Sequence, residues 1–142
     1  MPAVKDIMTK SVVVIDVSKT VFEAAQLMSA RGIGCLVVTE NDIAVGIVTE
    51  RDFLRRIVAE RASFDLKIST IMSKMLITVN PETSVRDAAR LMATNKIRRL
   101  PVVKAETLVG ILVASDLARQ AGNESVGEGV LEALGRLPPG PL

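Results

Sequence analysis

The chain has no histidine, tryptophan or tyrosine, and it has one cysteine. Without histidine it lacks the commonest general base and the commonest metal ligand. A lone cysteine permits neither an intrachain disulfide nor a C-x-x-C zinc or redox pair. Cys35 sits in the apolar run Ile33 to Val38, which reads as a buried, inert thiol. Aromatic residues are 2% of the chain and apolar residues 49%, so the core must be built from Val, Ile, Leu, Met and Ala. No apolar run approaches the roughly 18 residues that a membrane helix needs. Lys5, Asp6 and Lys10 fall where the apolar region of a signal peptide would lie. A cytoplasmic chain without membrane contact is therefore expected. A net charge of +2 does not mark a nucleic-acid binder.

What the chain does have is a duplication. Val4 to Phe53 lies over Ile68 to Leu117 without a gap. Ile7-Met8 meets Ile71-Met72, Ala24-Ala25 meets Ala88-Ala89, and Leu27-Met28 meets Leu91-Met92. Val45-Gly46-Ile47 meets Val109-Gly110-Ile111, and Asp52 meets Asp116. Two copies are too few for a solenoid, so a closed pair sharing a core is expected. The division reads as residues 1–64, residues 65–122 and a mobile tail at 123–142, the tail carrying one or two helical turns at Val126 to Leu134.

Each copy reads as strand, helix, strand, strand, helix, an α+β unit. In the first, Ser11 to Val17 is rich in β-branched residues. Thr20-x-x-Glu23 has capping-box spacing, and Val21, Ala24, Ala25 and Met28 share a helical face. Gly32 stands where a helix C-cap glycine belongs. Cys35 to Thr39 and Ala44 to Val48 are strands around the turn residues Glu40-Asn41-Asp42. A helix is expected from Glu50 to Arg61, with Ala62 to Lys67 as the linker between copies. In the second copy Ser84-x-x-Asp87 opens a helix. Leu100 to Val103 and Leu108 to Val113 are strands, and Ser115 to Gln120 opens the last helix.

Three stretches, Asp6-Ile7-Met8-Thr9-Lys10, Val45-Gly46-Ile47-Val48-Thr49-Glu50-Arg51-Asp52 and Arg98-Arg99-Leu100-Pro101-Val102-Val103, resemble the cystathionine-β-synthase (CBS) domain. The tandem arrangement resembles the CBS pair, or Bateman module, over about residues 4 to 121. The resemblance implies two pseudo-twofold-related β-α-β-β-α repeats packed as one intramolecular pair. It also implies a homodimer and a regulatory rather than catalytic role. The implied ligand is an adenine nucleotide (AMP, ADP or ATP) held between the repeats as a regulatory ligand, with no obligatory cofactor. Its binding would be passed by conformational change to an unknown protein partner.

Gly46, Ile47, Val48, Thr49 and Asp52 match the family's ribose-phosphate motif, and Arg51 lies within it. A carboxylate can accept both hydroxyls of a cis-diol, and Gly46 permits close backbone approach. The same Thr49-x-x-Asp52 is also an ordinary helix N-cap with an acid in the first turn. In the second copy Asp116 is kept but Val113 replaces Thr49, so one good and one weak or empty site are expected. Arg98 and Arg99 suit phosphate contact, in the same site as Thr49 and Asp52, or pairing with an acid such as Glu106. By resemblance, Lys19, Thr83 and Ala88 line the adenine pocket. Phe22 and Phe53 read as packing or dimer-contact residues. Arg51, Arg55, Arg56 and Arg61 form a basic side, and missing aromatics weaken a nucleic-acid reading. The alternatives are a dimerisation or interaction module without nucleotide, an S-adenosylmethionine binder and a nucleic-acid binder.

Overall fold

The computed structural model describes residues 2–74, 77–120 and 135. The elements run α1 (Val4–Ile7), β1 (Val14–Asp16), α2 (Val21–Arg31), β2 (Cys35–Glu40), β3 (Ile43–Thr49) and α3 (Glu50–Phe53). A π-helix (Leu54–Val58) and a 3-10 turn (Ile68–Thr70) follow, then β4 (Ser73–Lys74), α4 (Val85–Asn95), β5 (Arg99–Lys104), β6 (Thr107–Val113) and α5 (Ala114–Gln120). The expected tail helix at Val126 to Leu134 lies outside the described residues.

Local signals act as their chemistry requires. The Thr20 hydroxyl accepts the Glu23 N–H at 3.1 Å, and the Glu23 carboxylate accepts the Thr20 N–H at 3.3 Å. The backbone and hydroxyl of Thr20 together hold the Glu23 carboxyl below its ordinary value. Gly32 ends α2 with φ +62°. Ser84 caps α4 by accepting the Asp87 N–H at 3.0 Å. The Asp87 carboxylate pairs with Arg90 at 3.6 Å. Lys96 ends α4 with φ +54°, a conformation a side chain disfavours and glycine tolerates.

The chain folds as two compact units that do not coincide with the sequence halves: residues 12–76, and residues 1–11 with 77–142. In the 12–76 unit the sheet order is β1-β2-β3-β4, with β1 parallel to β2 and the other pairs antiparallel. Val21, Ala24, Met28, Leu36, Val38, Val48, Ile57, Ile68 and Ile71 are buried together. In the other unit β5 and β6 pair antiparallel, flanked by single bridges from Val79 to Val102 and from Thr9 to Ile111. These bridges stand where β1 and β4 stand in the first unit. Val4, Val85, Ala88, Ala89, Met92, Leu100, Val102, Leu112 and Leu117 form its core.

The opening segment of each copy is thus built into the unit of the other copy. Ile68 donates to the Lys19 carbonyl at 2.8 Å, and Val4 donates to the Thr83 carbonyl at the same distance. Leu66 accepts the Val21 N–H at 2.8 Å, and Pro2 accepts the Val85 N–H at 3.1 Å. Phe64 accepts the Phe22 N–H at 3.0 Å. These carbonyls satisfy helix N-terminal donors that have no intrahelical partner. Ala62 to Lys67, expected as a linker, is therefore a structural part of the 12–76 unit.

The exchange also explains the paired glycines. A Cβ on Gly46 would meet Met72 Sδ at 2.6 Å and the Ser73 carbonyl at 2.9 Å. A Cβ on Gly110 would meet Met8 Sδ at 2.5 Å and the Thr9 carbonyl at 2.9 Å. The close approach expected at Gly46 is made by an exchanged strand of the protein itself.

The helix expected over Glu50 to Arg61 is α-helical only to Phe53. Ala59 then donates to Leu54 at 2.9 Å and Ala62 to Ile57 at 3.0 Å, five residues back in each case. The wider turn buries Ile57 and leaves Leu54 and Val58 61% and 63% exposed.

Candidate functional site

β3 ends at Thr49 and α3 begins at Glu50, so the motif sits on a strand-to-helix turn. The Asp52 carboxylate reaches back through Oδ2, accepting the Thr49 N–H at 2.8 Å and the Thr49 hydroxyl at 3.3 Å. Glu50 donates to the Gly34 carbonyl at 3.1 Å, tying the turn to the start of β2. Asp52 thus performs the capping role, and both of its bonds use one oxygen. Among the described residues nothing engages Oδ1, and Thr49, Arg51 and Asp52 are each half-buried. A half-buried carboxylate with one open oxygen beside a hydroxyl can accept a hydroxyl donor from a small polar ligand.

The equivalent turn after β6 is wired differently. Asp116 is 4% exposed, the one buried charged residue among those described. Its Oδ2 accepts the Val113 N–H at 3.0 Å, and its Oδ1 is paired with the Arg119 guanidinium. Both oxygens are engaged within the unit. Asp116 supplies the turn's capping acceptor. Arg55 is the counterpart of Arg119, but it lies in the π-helix, is exposed and makes no ion pair among the described residues.

The remaining expected residues are spread over both units. Ile47 sits in the middle of β3, paired with Val37 and Ser73. Lys19, exposed, pairs with Glu23 at 3.6 Å on the loop before α2. Thr83, half-buried, occupies the matching loop before α4. Ala88 has no exposed surface and packs in the core with Val4 and Leu117, so its methyl serves helix packing. Arg98 and Arg99, both half-buried, belong to the unit of residues 1–11 and 77–142. The Arg98 carbonyl accepts the Ala114 N–H at 2.8 Å, and Arg99 opposes Val113 in the ladder. Glu106 is not their partner along the hairpin. It lies in the turn between Lys104 and Thr107, about 17 Å of strand away from Arg99.

One concavity was not anticipated. A groove of about 730 Å³ within the 12–76 unit is lined by residues of α2, α3 and the π-helix, with Phe64. All three phenylalanines of the chain, Phe22, Phe53 and Phe64, line it. The signal available in the sequence was that Phe22 faces Arg86 in the repeat alignment, an apolar residue placed where its twin is charged.

A CBS domain model matches residues 4–59 and again 68–122, which together span most of the chain. The chain belongs to the CBS-domain family. It is 41% identical over 128 residues to the CBS domain-containing protein YhcV of Bacillus subtilis, covering 89% of this chain and 91% of that one. Among solved structures it resembles a protein with CBS domains from Burkholderia ambifaria. That match has a TM-score of 0.75, 29% identity and coverage of 84% and 93%. It also resembles a hexameric CBS-CP12 protein from bloom-forming cyanobacteria, with a TM-score of 0.75, 37% identity and coverage of 82% and 66%. The chain is accordingly an α+β tandem of CBS repeats, and such tandems are generally regulatory ligand-binding modules. Among the described residues no helix is long and apolar enough to cross a membrane.

Proposed function

We propose that this CBS tandem is a regulatory module, not an enzyme, whose ligand is an adenine nucleotide (AMP, ADP or ATP). The observation that carries the reading is the open Oδ1 of Asp52, beside the Thr49 hydroxyl on a strand-to-helix turn. In this reading Asp52 accepts ribose hydroxyls, while Thr49, Ile47 and Arg51 shape the rest of the turn. Arg98 and Arg99 contribute to phosphate binding, and Lys19 and Thr83 are adenine-side contacts. The ligand binds one conformation of the protein better and so shifts its population toward a form that an unknown partner reads. Self-association belongs to the same reading, since a structural relative is hexameric.

The test is isothermal calorimetry of the purified chain against AMP, ADP, ATP and S-adenosylmethionine, with Asp52→Asn as the control. Asparagine keeps an acceptor for the Thr49 N–H but loses the charge and the second acceptor oxygen. Binding of at least one adenine nucleotide, lost in Asp52→Asn while the melting temperature holds, is the expected result. No heat with any nucleotide would reject it. A second reading, an interaction module without nucleotide, is favoured at the Asp116 turn alone, because both Asp116 oxygens are already engaged.

A further inference from the structure

The groove in the 12–76 unit is not accounted for by the nucleotide. Every large apolar side chain that stands exposed among the described residues belongs to this unit. Phe22 at 49%, Val58 at 63% and Phe64 at 59% line the groove, and Leu54 stands exposed on the same π-helix. Contiguous exposed apolar surface of this kind marks an interaction site. The face is also particular to the first copy. Phe22 is replaced by Arg86 and Phe53 by Leu117 in the repeat alignment, and Leu117 is fully buried.

Shape and charge say what fits it. Val21, Ala25, Met28 and Gly32 carry the lining along the whole of α2, whose 11 residues span about 16 Å. A trough of that length takes about three turns of another helix, seated by apolar anchors at i, i+3, i+4 and i+7. The flanks are basic. Arg55 and Arg56 lie on the π-helix, Arg61 follows it, and Arg31 closes α2. All four are exposed and make no ion pair among the described residues. Of the exposed acids nearby in the chain, Glu23 is tied to Thr20 and Lys19, which leaves Glu50, Glu60 and Asp65. A twofold contact opposes a patch to itself, so a second copy would bring the same four arginines to the same rim. A partner helix with acids beside its apolar stripe meets the apolar floor and the basic flanks together.

We propose that the groove lined by Phe22, Phe53, Val58 and Phe64 is the docking site for an acidic amphipathic helix of another protein. The apolar stripe of that helix fills the groove, and its carboxylates face Arg55 and Arg56. This does not depend on the nucleotide reading, because none of the lining residues named is used in it.

The test is fluorescence anisotropy with two labelled synthetic peptides of about 14 residues, titrated with the full chain without nucleotide. Both carry Leu at i, i+3, i+4 and i+7, with alanine and glutamate elsewhere in one and alanine and lysine in the other. The expected result is that the glutamate peptide binds at least about tenfold tighter than the lysine peptide, with an affinity that falls as salt rises. Phe22→Ser/Phe64→Ser should weaken it by about tenfold or more with the melting temperature unchanged, because both side chains are exposed. Arg55→Glu/Arg56→Glu should abolish the preference for the glutamate peptide. No binding of the glutamate peptide, or equal binding of the two peptides, would overturn the proposal. An oligomer in sedimentation velocity that Phe22→Ser/Phe64→Ser dissociates and the glutamate peptide does not would assign the groove to a second copy, and would overturn it as well.

Discussion

Thr49-x-x-Asp52 and Val113-x-x-Asp116 occupy the same place in the two repeats, yet they spend their carboxylates differently. Asp52 caps its helix with one oxygen, and among the described residues nothing engages the other. Asp116 caps with one oxygen and neutralises Arg119 with the other, in a nearly inaccessible position. Duplication preserved the cap, which the fold needs, and left the second oxygen free to diverge. The loss of a hydroxyl at Val113 is the smaller part of the difference. The larger part is that α5 continues as an α-helix and places Arg119 within reach, whereas the π turn after Phe53 leaves Arg55 exposed and unpaired among the described residues.

The comparison predicts where the two repeats behave alike and where they part. The largest effect should be shared. Gly46→Ala and Gly110→Ala each drive a methyl against a methionine and a backbone carbonyl, and the carbonyl cannot swing aside. Each is expected to cost about 1–3 kcal/mol in chemical denaturation. A tolerated substitution at only one glycine would show that the two exchanged segments are not equivalent.

The aspartates should then separate. Asp116→Ala removes a buried acceptor from the Val113 N–H and is expected to cost about 2 kcal/mol, with nucleotide binding intact. Asp52→Ala should cost about 1 kcal/mol and abolish binding. Val113→Thr alone should leave the number of ligands bound unchanged, because Oδ1 of Asp116 remains paired. Combined with Arg119→Ala it should raise that number, as read by calorimetry.

The smallest effect concerns the hairpin turns. Asn41 and Asp42 have φ of +52° and +65°, and Ala105 and Glu106 have +50° and +67°. Both central residues lie in the left-handed region that two-residue hairpins favour, where asparagine is tolerated better than alanine. Ala105→Asn should therefore stabilise by about 0.5–1 kcal/mol, and Asn41→Ala should lose a similar amount, both measured by thermal melts. Equal responses of opposite sign would show that the turns carry the same strain despite different residues.

Sequence alone determined the duplication, the CBS resemblance, the caps at Thr20 and Ser84, the glycine end of α2 and the approximate limits of the strands. Each of these depends on residues a few positions apart, or on a constant offset between copies. Tertiary structure decided the rest. It set Leu66 and Phe64 on the first turn of α2, Pro2 on that of α4, and Met72 and Met8 over Gly46 and Gly110. It turned an expected linker into part of a unit and packed Ala88 into the core. It also gathered three scattered phenylalanines into one groove. The physical reason is range: propensity and capping act within a turn of helix or a strand pair, whereas the exchanged segments meet partners dozens of residues away. Only the folded chain shows which donors they satisfy and which oxygen of an aspartate remains open.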